Sequence, residues 1–86
     1  MDLKEFETDW RNMGQMEYLF KKTFKLQKYF NVMKRDHEHC QFCWETFSGF
    51  PGAESEGYCT IDGSQYWVCC ACFNELKEIF KWNECK

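Results

Sequence analysis

Apolar residues in the first third of the chain recur at helical spacing. Leu3, Phe6, Trp10 and Met13 stand three, four and three residues apart, which is one face of a short helix. Asp2 followed three residues later by Glu5 has the form of a capping box and sets the start of that helix. Gly14 interrupts the pattern, and Asn12 with Gln15 offers a second, weaker start. Met16, Leu19, Thr23, Leu26, Phe30 and Met33 then form another stripe. It predicts a longer amphipathic helix over residues 15–35, bent away from the first at Gly14. Lys21, Lys25, Lys28 and Arg35 fall on the opposite face at roughly 100° per residue, so a solvated basic face over a core stripe is expected.

The period changes in the second half. Ser48-Gly49-Phe50-Pro51-Gly52 is a loop signal. Tyr58 to Ile61 and Gln65 to Val68 are short runs rich in aromatic and β-branched residues, joined by Asp62-Gly63-Ser64, and together they read as a β-hairpin. Phe73, Leu76, Ile79 and Phe80 return to helical spacing and predict a final helix. The expected fold class is a small α+β domain, with an N-terminal helical segment over residues 1–36 and a second module over 37–86, packed as one domain.

Composition adds the chemistry. A chain of 86 residues buries a limited fraction of its surface and is expected to need a staple. Seven cysteines exceed what packing requires. Four of them form two pairs, Cys40-Gln41-Phe42-Cys43 and Cys69-Cys70-Ala71-Cys72. Each C-x-x-C presents two sulfurs from one tight turn, which is what a tetrahedral zinc ion needs. The start Met1-Asp2-Leu3-Lys4-Glu5 has no secretory pattern, and no apolar run approaches membrane-spanning length. A cytoplasmic protein without a membrane partner is expected, in a compartment where paired cysteines bind metal more often than they form disulfides. One structural zinc is predicted on Cys40, Cys43, Cys69 and Cys72. Cys72 should occupy the first turn of the last helix, where the helix dipole favours its thiolate. His37 and His39 lie beside the first pair and leave open an imidazole in place of one thiolate, against a hydrogen-bonding role around a filled shell. Cys59 reads as a small buried apolar residue, and Cys70 and Cys85 as outside the set.

The order of knuckle, hairpin and helix with the second pair in its first turn resembles the treble-clef family of zinc fingers. The resemblance runs from Cys40 to Trp82 and is carried by Cys40, Cys43, Cys69 and Cys72. It implies a closed structural site. The departure is Trp44, which stands where a knuckle commonly places glycine. Treble-clef nucleases set catalytic histidines between the two pairs, and this chain has no histidine after His39. The zinc-deaminase pattern fails as well, since Val68 and not proline precedes Cys69. No enzyme is expected.

The net charge of -3 is unevenly spread. Residues 2–17 hold five acids and two bases, residues 21–35 hold six bases and no acid, and residues 37–86 hold eight acids and three lysines. Such patterning speaks of partners and not of fold. Aromatics make up 20% of the chain, more than a small zinc module can bury, and Trp44, Phe47, Phe50, Tyr66 and Trp82 are candidates for a protein interface. The competing expectation is that they pack against the N-terminal helices. The leading functional expectation is a small intracellular zinc-finger interaction protein, such as a regulator or a phage-type inhibitor of a host or defence complex. The alternative is a nucleic-acid-binding module using Lys21, Lys22, Lys25, Lys28, Lys34 and Arg35, whose contacts would be to the backbone and salt-dependent. A coiled-coil homodimer through the basic helix is a third reading.

Overall fold

The computed structural model describes residues 1–29, 38–48 and 55–85. Helix α1 (Leu3–Glu7) begins where expected: Asp2 Oδ1 accepts from the Glu5 amide at 2.8 Å, satisfying one of the unpaired donors of a helix start. The helix is only five residues long. Of the first apolar stripe Phe6 alone is buried, while Leu3, Trp10 and Met13 are exposed. Gly14 takes φ +86 and turns the chain into a second helix, α2 (Met16–Leu19).

The long basic helix does not form. Helix α2 ends after one turn, Phe20 is extended, Lys21 adopts φ 61, and the chain enters strand β1 (Thr23–Lys28). The physical reason lies outside any local window. Thr23 and Phe24 suit a strand, and β1 is paired along both edges, antiparallel to β4 (Glu56–Thr60) and parallel to β6 (Asn83–Cys85). The lysines therefore share no helical face. Lys25 and Lys28, three residues apart on a strand, point to opposite sides, and Lys22 is ion-paired with Asp62. Lys34 and Arg35 lie outside the described residues.

The main sheet has the order β5-β4-β1-β6, with β5 (Trp67–Val68) antiparallel to β4. The predicted hairpin is thus present, registered Tyr58↔Val68 and Cys59↔Trp67. Its connection is closed by Thr60, whose amide donates to the Tyr66 carbonyl at 3.1 Å and whose hydroxyl accepts from the Tyr66 amide at 3.0 Å. A second, two-stranded sheet pairs β2 (Glu38–His39) with β3 (Thr46–Phe47). Helix α3 (Cys70–Leu76) follows β5.

One aromatic core joins these elements. Tyr58 and Phe73 stack with ring centroids 3.7 Å apart, and Phe24 and Trp82 close over Phe73 at 5.6 and 5.4 Å. Phe6, Phe42 and Phe80 meet edge to face beside them, an arrangement favoured by the ring quadrupoles. Sheet and core both draw on residues from either side of the expected boundary at residues 36 and 37. Phe47 and Trp82, expected at an interface, are interior: Phe47 is fully buried, and the Trp82 indole N–H donates to the Leu19 carbonyl at 2.8 Å. Phe47 packs against Tyr29 and Trp67, and Trp82 against Phe24 and Phe42, all from elsewhere in the chain.

Candidate metal centre

The two cysteine pairs are brought together by two different local devices. The first pair sits in the turn between β2 and β3. There the Cys40 amide donates to the Glu45 carbonyl at 2.8 Å and the Trp44 amide to the Cys40 carbonyl at 3.2 Å. Trp44 occupies the position of the missing glycine and takes its conformation, φ 66. A bulky residue with positive φ is a conformational outlier that costs on the order of 1 kcal/mol or more. The second pair opens α3: Cys69 is its N-cap, in extended geometry, and Cys72 lies in its first turn. The Gln41 amide donates to the Trp67 carbonyl at 2.9 Å and ties the knuckle to the strand that delivers the second pair.

Between these devices the sulfurs of Cys40, Cys43, Cys69 and Cys72 all lie within 4.8 Å of one another. The Cys43 and Cys69 sulfurs are 3.6 Å apart, far beyond the ~2.05 Å of a disulfide. A tetrahedron of thiolates at ~2.3 Å from a zinc ion has edges of about 3.8 Å, so the spacing fits a tetrahedral metal. Cys40, Cys69 and Cys72 are buried and Cys43 is half-buried.

The surroundings are suited to sulfur carrying negative charge. Cys40 Sγ accepts from the amides of Phe42 at 3.5 Å and Cys69 at 3.4 Å. Hydrogen bonds from the Cys69 and Cys72 thiols push the Cys40 thiol down to about 2. The same contacts, made as donors to Cys40, push Cys69 up to about 12 and raise Cys72 too. Four crowded sulfurs cannot all ionise unless a cation joins them. Cys72 occupies the first turn of α3, as expected.

Arg11 completes the site and was not foreseen. Its Nη1 donates to Cys72 Sγ at 3.7 Å, and the guanidinium is held by Glu75 at 2.6 Å and Asp9 at 2.8 Å. It is 8% exposed. In return Arg11 holds the Asp9 carboxyl below the usual carboxylate range. Such an outer hydrogen bond orients a metal ligand. Gln15, fully buried, binds this segment to the knuckle, its Nε2 donating to the carbonyls of Arg11 at 2.7 Å and Gln41 at 2.9 Å. The signals were slight: an Asp-x-Arg pair in an acidic stretch, and a glutamine beside the turn glycine.

Among the described residues the cluster contains no histidine. His39 Nδ1 faces the Trp44 carbonyl at 3.2 Å and the Thr46 hydroxyl at 3.4 Å, while His37 lies outside the described residues. Cys59 is fully buried, as expected, and Cys70 and Cys85 are half-buried and outside the cluster. Of the remaining interface candidates, Trp44 is 57% exposed, Tyr66 is half-buried with its ring 5.0 Å from that of Tyr18, and Phe50 lies outside the described residues.

Fold and site together define a small α+β domain with four cysteines positioned to hold a metal ion. Comparison with known proteins found no matching family model, curated relative or solved structure. Among the described residues no helix is long and apolar enough to cross a membrane.

Proposed function

We propose that the chain is a zinc-stabilised interaction module of the treble-clef type, which binds a protein partner and does not catalyse. The observation that carries it is the set of four cysteine sulfurs within 4.8 Å of one another. An all-sulfur tetrahedral set suits zinc, with an iron centre the other metal it can hold, and four thiolates leave no open position for substrate. The element order supports the treble-clef reading: a hairpin carrying the first pair, a second hairpin, then a helix whose start carries the second pair. Strands β1 and β6 are additions to that plan, β1 pairing with β4 and β6 with β1 in the main sheet.

Partner binding is supported by apolar side chains that the core leaves outside. Trp10, Met13 and Trp44 are each more than half exposed, and exposed aromatics are favoured contact residues. A regulator or inhibitor of a larger complex would act through the same contact. The nucleic-acid reading loses its support with the basic helix. The test is affinity capture with wild-type protein and Trp44→Gly as baits, each verified to carry one zinc. A partner retained by the wild type and lost by the variant is expected. A partner held equally by both, or protein that folds without metal, contradicts the reading.

A further inference from the structure

The four sulfurs of the cluster are not equivalent. Cys40 Sγ accepts from the amides of Phe42 and Cys69 at 3.5 and 3.4 Å, and Cys72 Sγ accepts from Arg11 Nη1 at 3.7 Å. Both residues are buried, and so is Cys69, the N-cap of α3. Cys43 differs on both counts. It is the half-buried member of the set, and among the described residues its sulfur has no N–H donor, its polar contact being Cys69 Sγ at 3.6 Å.

These differences decide where an oxidant reacts. A metal keeps cysteine as the thiolate, and the thiolate is the nucleophile. An N–H bond stabilises the charge on sulfur and so makes it a weaker nucleophile. Burial shuts the reagent out. Cys40 and Cys72 are held back by both effects and Cys69 by burial, which leaves Cys43 as the reactive corner. Cysteines that sense oxidants are accessible and stand beside a second cysteine that resolves them. Cys69 holds that place, and the 3.6 Å between the two sulfurs has only to close to the ~2.05 Å of a disulfide.

We propose that Cys43 is a modification site for hydrogen peroxide, and that its oxidation, completed by Cys69, dismantles the metal centre reversibly. The Cys43 thiolate attacks one oxygen of the peroxide. An S–O bond forms, the O–O bond breaks, two electrons pass from sulfur to the peroxide, and the leaving hydroxide takes a proton from solvent to become water. The Cys69 thiolate then attacks the Cys43 sulfur. An S–S bond forms, the S–O bond breaks, and a second hydroxide leaves and is protonated to water. Cys40 and Cys72 remain as a two-sulfur set, too few to close a tetrahedron. The bond joins the knuckle to the start of α3, unlike a disulfide within one C-x-x-C. The inference rests on the metal reading above and adds the regulation of that site.

The test uses the full chain loaded with one zinc, as wild type and as the double variant Cys70→Ser with Cys85→Ser, which removes the half-buried thiols outside the cluster. In the variant, limiting iodoacetamide should label Cys43 about tenfold faster than Cys40, Cys69 or Cys72. Hydrogen peroxide should release one zinc per chain to a chromophoric chelator, with loss of two thiols and at the same rate in both proteins. A thiol reductant with added zinc should restore the loaded form. Glu45 and Glu56 stand between the two pairs, so cleavage at glutamate after oxidation should give two peptides joined through Cys43 and Cys69, assigned by tandem mass spectrometry. A disulfide within either pair, a link through Cys59, Cys70 or Cys85, or equal labelling of the four cysteines would overturn the proposal. Zinc and thiols that survive peroxide in the loaded chain refute this inference alone. A chain that binds no zinc refutes the metal reading beneath it.

Discussion

At Arg11 a single guanidinium touches a cysteine of the cluster, Cys72, and two carboxylates, Asp9 and Glu75. Replacing it with methionine keeps the apolar stem but removes the donor to sulfur. Arg11→Met should weaken zinc binding by roughly 10- to 100-fold, with Arg11→Lys recovering part of the loss, as measured by competition with a chromophoric chelator. Affinity unchanged in Arg11→Met would show that the contact is incidental. Cys59 makes the opposite case, a thiol kept neutral. Burial pushes it from 9.0 up to about 11, so the folded protein holds this proton more tightly than the unfolded chain does. Its contribution is therefore full below about pH 9 and is lost as pH rises toward about 11. In Cys59→Ala the alkaline fall of the urea midpoint across that window should shrink, and in the wild type Cys59 should resist alkylation at pH 8. Cys59 was legible from sequence because apolar neighbours on a predicted strand announce burial. Arg11 was not, because its decisive partners are 61 and 64 residues away.

Elements set by local chemistry were legible, and those set by distant pairing were not. Asp2 and Gly14 announced the first helix and the bend, the run from Tyr58 to Val68 announced the hairpin, and the C-x-x-C spacing announced both halves of the site. Strand β1 was misread because its residues satisfy a helical period as well as a strand. What decides between them is β4 and β6 on either edge, information absent from residues 15–35. The close fit of these strands gives a sharp test at Gly57, which is buried in β4. A Cβ there would meet Phe47 Cζ at 2.7 Å, closer still to Cε1, and the Val68 carbonyl at 3.1 Å. The Phe47 ring is fully buried and has little room to yield. Gly57→Ala should destabilise the fold by about 1–3 kcal/mol in urea unfolding, and a neutral result would contradict the packing between the sheets.

Across the whole molecule, one aromatic core and one four-stranded sheet join the residues around the cluster to the first 29. Gln15 and Arg11 fasten the N-terminal segment to the knuckle and to Cys72. Loss of the metal should therefore be felt in both halves, in a single transition. Structural zinc in small fingers contributes roughly 10–16 kcal/mol, as much as or more than the whole stability of an ordinary domain of this size. The most direct measurement is elemental analysis of the purified chain, paired with far- and near-UV circular dichroism before and after verified metal removal. One zinc per chain is predicted, with none held by Cys43→Ser or Cys72→Ser under chelator challenge and both signals collapsing together on removal. A native spectrum in metal-free protein, or full zinc occupancy in either serine variant, would contradict the account.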